Sequence, residues 1–330
     1  MDESKERIRA LCLLSGGLDS QLAVCVLRDQ QIDVQAVTFE SPFFSADRAR
    51  TAATQLGVVS HVIDFTPDIV GILKDPPHGF GSQLNPCIDC HTRMILKAGQ
   101  LMEDEGLHFL ATGEVLNQRP MSQNKESLAV VGKDSGYGGR LVRPLSAQLL
   151  PETEPERNGW VARDKLLRLE GRNRKPQLQL AAHYGLTNFP SPAGGCLLTE
   201  PNFCTRLRDL MEHGGLNGRR NIELLRTGRH IRLSPSTKLV VGRNEKDNAM
   251  LEGTAELYEL LIKTEGVPGP TGLLPFTATE DEIRLGAAVC ARYSDAPTGE
   301  SIVVRIRSSR GTRRLDVVPS TAEETDKLRI

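Results

Sequence analysis

The residues best suited to chemistry lie near the N-terminus. Leu11 to Ser20 reads Leu-Cys-Leu-Leu-Ser-Gly-Gly-Leu-Asp-Ser. An apolar run leads into Ser15-Gly16-Gly17, and an apolar helical pattern follows from Gln21, so the order is strand, tight turn, helix. Two glycines let the backbone turn sharply and approach a ligand closely. The free N–H groups of the turn and of the first helical turn then face one spot, with the helix dipole behind them. A phosphate is the natural occupant. Neither the Walker spacing nor the Gly-x-Gly-x-x-Gly fingerprint is present. A plain strand–helix turn capped by Asp19 or Ser20 is the alternative.

Sulfur is the second resource. Seven cysteines, an odd number, argue against a disulfide framework and for metal or redox chemistry. Cys12, Cys25, Cys204 and Cys290 lie in apolar patterns and read as core. Cys87-x-x-Cys90 and Cys196 are left. Two cysteines at this spacing suit zinc, an iron–sulfur cluster or disulfide exchange. Three thiolates from two distant segments suit a [4Fe-4S] cluster with one iron open. A persulfide or disulfide pair of Cys90 and Cys196 is the second option, and structural zinc the third.

These groups need a scaffold. Helical patterns at Gln21–Arg28, Ala46–Leu56 and Pro67–Leu73 alternate with strand patterns at Val34–Phe39 and Val62–Phe65. A loop from Asp75 to Pro86 delivers the cysteine pair ahead of a helix from Thr92 to Glu105, and a strand at His108–Thr112 runs into Gly113-Glu114. Such alternation predicts an α/β fold with a doubly wound parallel sheet, whose ligands sit at the carboxyl ends of the strands. Short strands are expected at Leu128–Val131 and Leu141–Val142, joined as a hairpin. Helical stretches are expected at Asp164–Leu169, Gln177–His183 and Asn202–His213. The Gly214–Gly218 stretch marks a boundary between residues 1–215 and a smaller α+β domain at 216–330. There the strands are Lys238–Val241, Ile302–Ile306 and Leu315–Val318, with a helix at Asp281–Tyr293.

The chain has 330 residues, 39% hydrophobic and 25% charged, and a net charge of −1. That is the composition of a soluble globular protein, with any nucleic-acid surface confined to local patches. No membrane span or signal-peptide core is visible, which predicts a cytoplasmic location. One compact basic patch is Gly171-Arg172-Asn173-Arg174-Lys175.

Ser15-Gly16-Gly17-Leu18-Asp19-Ser20 resembles the PP-loop of the ATP pyrophosphatase superfamily. The resemblance implies ATP bound by Ser15, Gly16, Gly17, Asp19 and Ser20, with cleavage between the α- and β-phosphates. It implies an adenine approached by the strand end at Thr38-Phe39, and Gly113 and Glu114 on the ligand side. Asn85-Pro86-Cys87-Ile88-Asp89-Cys90 resembles the cysteine segment of tRNA thiouridine synthases. Thr112-Gly113-Glu114, Gln118 and Ser122-Gln123 are similar to a segment of the 4-thiouridine synthetase family. Cys87, Cys90 and Cys196 fall where cluster-dependent members carry three cysteines. Farther on, Gly242-Arg243-Asn244 with Asn248 resembles the NFACT-R RNA-binding domain, in an arginine-rich half of the chain.

The resemblance implies adenylation of a uracil carbonyl in tRNA, followed by sulfur transfer. Asp19 would orient pyrophosphate directly or through Mg²⁺, which takes oxygen ligands. Cys90 and Cys196 would handle sulfur from sulfide or a persulfide carrier. Arg172, Arg174, Lys175 and Arg243 would hold RNA phosphates. No stretch resembles a THUMP or rhodanese domain, so the sulfur donor and the mode of tRNA binding stay open. So does the oligomeric state, a homodimer being one option. An ATP-dependent amidating or ligating enzyme, and an RNA-binding protein with a relic PP-loop, are the competing functions.

Overall fold

The computed structural model describes residues 7–191, 196–255 and 259–330. They divide into two units, Met1–Glu200 and Pro201–Ile330. The division falls at the start of the helix expected at the end of the first domain.

The first unit runs β1 (Arg9–Leu13), α1 (Leu18–Arg28), β2 (Asp33–Glu40), α2 (Asp47–Leu56), β3 (Ser60–Asp64) and α3 (Thr66–Lys74). It continues with α4 (Cys87–Asp104), β4 (Phe109–Thr112), α5 (Lys125–Asp134), β5 (Leu141–Val142), α6 (Glu154–Arg157) and α7 (Lys175–His183). The sheet is parallel throughout, in the order β3-β2-β1-β4-β5. Strands this apolar belong in a sheet covered on both faces. Leu22, Ala23 and Leu27 of α1 are buried in the same cluster as Ala10, Cys12 and Ala111 of the sheet. Each fully buried leucine contributes about 1.5–3 kcal/mol.

Register fixes where loops meet. Leu13 pairs with both Val37 of β2 and Thr112 of β4. Strands β1 and β4 therefore end level while β2 runs on to Glu40, and the loops after β1 and β4 emerge side by side. Between them the connections diverge, which is the switch point where doubly wound sheets bind ligands.

Three expectations need correction. Leu128–Val131 is not a strand but part of α5, which starts where the Asn124 side chain accepts the Ser127 N–H at 2.7 Å. The expected hairpin is therefore absent, although Leu141–Val142 is a strand. Asp164–Leu169 is not helical beyond a single 3₁₀ turn at Arg163–Lys165. The N–H groups of Leu167 and Leu169 bond instead to the carbonyls of Pro144 and Leu145. Helix α4 begins at Cys87 rather than Thr92, so both cysteines stand on its first turns.

The second unit runs α8 (Pro201–Glu212), α9 (Arg219–Leu224), β6 (Arg229–Ser234), β7 (Thr237–Val241), α10 (Glu245–Thr254) and β8 (Glu259–Thr264). Then come β9 (Gly272–Pro275), α11 (Glu280–Arg292), β10 (Ile302–Ser308), β11 (Gly311–Val317) and α12 (Ala322–Leu328). Its antiparallel sheet has the order β11-β10-β8-β9-β7-β6. Helix α11 covers one face, burying Ile283, Ala287 and Cys290 against Ile262, Val304 and Ile306. Thr279 and Glu282 start it with a reciprocal capping box. Helix α10 covers part of the other face with Leu251 against Val240, Leu261 and Leu273.

Candidate functional site

Between β1 and α1 the chain makes a knot of short hydrogen bonds. The Ser20 hydroxyl donates to Gly17 O at 2.9 Å and lies 3.3 Å from the Ser15 hydroxyl. Ser15 N–H donates to Ser20 Oγ, and Gly17 N–H to Ser15 Oγ, each at 3.3 Å. The two serines thus brace the loop, while the first N–H groups of α1 lack intrahelical partners by helix geometry. Gly16 sits at φ +79°, and a Cβ there would lie 2.4 Å from the backbone of Arg48. The fully buried Gln21 holds the Gly16 carbonyl at 3.1 Å and the Asn188 carbonyl at 3.2 Å through Nε2.

Gly113 is the counterpart on β4. A Cβ added there would lie 2.5 Å from Asp19 C and Ser20 N. Only glycine lets this strand end lie against the first turn of α1. Gly113→Ala is expected to displace that turn, weakening phosphate binding at its free N–H groups about tenfold or more while both sheets still form. Isothermal titration with a non-hydrolysable ATP analogue checks it, and unchanged affinity would show that the close approach is dispensable.

Asp19 stands in this seat with one oxygen committed and one open. Gln118 Nε2 donates to Oδ2 at 2.9 Å, and Oδ1 is buried without a partner. Burial pushes the carboxyl above its usual range, and Gln118, Arg174 and Arg119 pull it back only in part. A half-coordinated buried carboxylate oxygen fits an Mg²⁺ ion, which needs one or two protein carboxylates beside phosphate oxygens.

The basic patch reaches the same place. Leu116 bridges to Glu170, Gly171 N–H donates to Leu116 O at 2.8 Å, and Asn117 Nδ2 donates to Glu170 Oε1 at 2.7 Å. Arg174 precedes α7, which packs on α1. Its guanidinium acts on Asp19, and its Nε is buried without a partner. Arg172 and Lys175 are exposed.

Glu114 faces inward. Oε2 accepts from Thr112 Oγ1 and Arg143 Nε, both at 2.9 Å, while Oε1 lies 3.2 Å from His91 Nδ1. Burial alone would raise its pKa. Arg143 and His91 outweigh that and hold the carboxyl far below the usual carboxylate range. Both oxygens are engaged, so Glu114 links β4, β5 and the cysteine helix rather than offering a ligand to nucleotide. Thr38 and Phe39 are buried at the end of β2, beside the strand that carries the loop.

Cys87 and Cys90 share one face of α4, three residues apart. Asp89 between them is buried and accepts from His78 N–H at 3.2 Å and pairs with His78 Nδ1 at 2.6 Å; His78 Nε2 lies 3.2 Å from Asp134. Burial pushes the Cys90 thiol well up, and the neighbouring Cys196, Cys87 and Asp89 push it further. Leu84 N–H donates to Leu198 O at 3.1 Å, which brings the Cys196 segment against the loop that leads into α4. Among the described residues no group of three or more His, Cys, Asp or Glu side chains is disposed to hold a metal ion. Cys87 S–H is turned to Asn85 Oδ1 at 3.2 Å, and Cys196 Sγ accepts from Leu198 N–H at 3.5 Å. The Gly194-Gly195 loop expected to expose Cys196 lies outside the described residues. Cys12, Cys204 and Cys290 are buried core, and Cys25 is half-buried. The positive charge of Arg119 lowers both the Asp19 carboxyl and the Cys87 thiol, against the larger rise that burial causes.

In the second unit, Arg243 is not a free cation. Its Nε donates to Asp247 Oδ2 at 2.7 Å and one terminal nitrogen to Arg226 O at 3.2 Å. Asn244 caps α10, and a Cβ on Gly242 would lie 2.0 Å from Asn248 Oδ1. The Gly-Arg-Asn motif builds the β7–α10 turn.

Residues 5–97 match the family described as asparagine synthase, and residues 228–329 match the NFACT protein RNA binding domain. The two matched stretches lie one in each unit. A probable tRNA sulfurtransferase of Caldanaerobacter subterraneus is 33% identical over 147 residues, 42% of this chain and 36% of that protein. One of Oceanobacillus iheyensis is 26% identical, over 42% of this chain and 34% of its own length. The chain thus spans about a third of the length of these curated relatives. A solved 4-thiouridine synthetase–RNA complex with bound ATP aligns over 54% of this chain and 51% of its own, at 18% identity and a TM-score of 0.35.

Within the first unit, Gln21, His78, His91, Arg119 and Arg143 were not singled out as site residues by sequence. Gln118 was visible only as part of a family-like segment. A polar residue in an apolar helical stripe, as Gln21 is, was the one local signal.

Proposed function

We propose that the chain thiolates a uridine of tRNA at the expense of ATP. The observation that supports this best is that Gly113, packed against the first turn of α1 beside Asp19, is followed by Glu114, whose Oε1 lies 3.2 Å from Nδ1 of His91, the neighbour of Cys90. Phosphate chemistry and sulfur chemistry then share one site. ATP lies with its phosphates on the N–H groups of the PP-loop and its adenine by Thr38-Phe39. The paired N-termini of α1 and α7, with Arg174, face the β- and γ-phosphates. Bound Mg²⁺, held by Asp19, would supply further charge neutralisation for the departing pyrophosphate.

The uracil carbonyl oxygen attacks the α-phosphorus, and pyrophosphate leaves. Fixed dipoles of the loop stabilise it without reorganisation. Adenylation turns a poor leaving group into AMP. A persulfide on one of Cys90 and Cys196 then attacks the activated carbon, and AMP departs. The other thiol attacks the enzyme-side sulfur, releasing thiouridine and leaving a Cys90–Cys196 disulfide. A cellular thiol reductant resets that pair. Chemistry on the base requires the nucleotide to leave its stack.

The test is nucleoside mass spectrometry of tRNA from cells lacking the protein, with a Cys90→Ser rescue. Loss of one thiouridine, restored by wild type and not by the variant, is the expected result. Unchanged thiouridine content would sink the proposal and favour ATP-dependent amidation or ligation.

A further inference from the structure

We infer that the RNA-facing surface of the NFACT-R domain is the uncovered half of its sheet, where Lys263, Arg305, Arg307 and Arg314 stand, and that it takes the phosphate backbone of tRNA. This rests on the tRNA reading above and names the surface that would serve it.

Register puts these cations on one face. Arg305 of β10 pairs with Lys263 of β8 on one side and Arg314 of β11 on the other. Adjacent strands lie about 4.8 Å apart, so three cations form a row across three strands. One step on, Arg307 stands between Leu261 and Thr312. Directly opposed like charges destabilise a sheet. A fold that keeps Arg305 against Arg314 retains a cost that core packing does not explain, since Val304 and Ile306 face the core instead.

Neighbouring carboxylates relieve only part of it. Glu265 is shared, at 2.7 Å from Arg314 Nε and 3.7 Å from Arg305 Nε, and Glu252 takes Lys263 at 2.7 Å. Arg307 is exposed and makes no ion pair among the described residues. Two other carboxylates stand on this face: Asp316, opposite Val303 and away from the turn end of the strands, and Glu259 of β8, which Arg220 engages. The face is therefore polarised, with cations toward the β10–β11 turn. Helix α10 covers the other half of the same face through Leu251, Leu261 and Leu273. Other arginines of this unit are committed elsewhere, among them Arg313 to Glu280 at 2.9 Å on the opposite face, Arg310 over the Phe276 ring at 4.3 Å, and Arg243 to Asp247.

The experiment measures tRNA binding by the full chain across a salt series. Wild type should bind with a log Kobs that falls linearly with log salt. Arg305→Gln/Arg307→Gln/Arg314→Gln should weaken binding tenfold or more and lower the slope by about two to three. Arg307→Gln alone, which breaks no ion pair, should lower it by about one. Arg313→Gln removes the same charge from the other face and should leave the slope near wild type. If wild type binds but the triple variant matches it, or if Arg313→Gln weakens binding equally, the face assignment falls and the tRNA reading stands. If wild type shows no salt-dependent binding, both fall.

Discussion

Asp19→Asn should abolish tRNA thiolation while the protein melts at a temperature no lower than wild type. Two properties of the same side chain drive these outcomes in opposite directions. Asp19 is buried, and burial outweighs Gln118, Arg174 and Arg119 in setting its pKa, which is raised. A carboxyl whose folded pKa exceeds its unfolded value binds more protons in the folded state across that interval. Stability is therefore lost as pH rises through the interval, and the deficit is fully present at neutral pH. Asparagine keeps the shape and an acceptor for Gln118 but removes the charge, and with it the deficit. Catalysis should fall about 10²–10³-fold or more, because asparagine lacks the charge that would hold Mg²⁺ against the departing pyrophosphate. Alanine should behave alike in turnover. The checks are release of labelled pyrophosphate in the presence of tRNA, and a thermal melt. An asparagine variant that turns over normally would remove Asp19 from the mechanism. One that melts several degrees lower would show that the carboxylate is structural. Exchange of stability for activity at such a site is a general pattern.

How much could be read without coordinates follows from which signals are local. The PP-loop, its flanking strand and its helix were legible because turn chemistry and apolar runs are contiguous there. Parallel pairing followed from alternation, and Leu13 opposite Thr112 then brings Gly113 to Asp19. The grouping of Cys196 with Cys87 and Cys90 came from residue type and resemblance, and the Leu84–Leu198 hydrogen bond brings its segment to the loop before α4. Other features depended on pairings that no window of sequence contains. Arg174 sits in a run of cations that suits RNA equally well. Only the Leu116–Glu170 bridge, over fifty residues apart in sequence, turns it toward the PP-loop. The Leu128–Val131 stretch is β-branched enough to suggest a strand, but the Asn124 cap decides for helix. The Gly-Arg-Asn motif was visible, yet its arginine is spent on Asp247. A conspicuous motif can therefore mark the turn that holds a surface rather than the surface itself.

Glu114→Ala is expected to produce the largest loss of stability. The carboxylate is buried, and its partner Arg143 is only 10% exposed. Removing one member of a buried ion pair leaves the other uncompensated, at a cost of about 3–5 kcal/mol. For a domain of this size that lowers the melting temperature by roughly 6–20 °C. The sign of the pH dependence follows from the direction of the shift. Arg143 and His91 hold the Glu114 pKa below its unfolded value despite burial. Its contribution is therefore complete above an unfolded pKa of about 4.3 and is lost as pH falls below that toward the folded value. Glu114→Gln keeps the volume but cannot be ionised, so it isolates this term. The gap in melting temperature between wild type and Glu114→Gln should be wide at neutral pH and narrow on acidification below about pH 4. Calorimetry over a pH series measures it. A gap that stays constant with pH, or an alanine variant that melts within a degree of wild type, would show that the pair does not hold β4 to β5 and to the cysteine helix. The consequence for chemistry is direct. His91 adjoins Cys90 and is tied to Glu114, which follows the Gly113 that seats the first turn of α1. Loosening Glu114 therefore frees the sulfur-bearing helix from the phosphate seat, and turnover should fall even at temperatures where the variant remains folded.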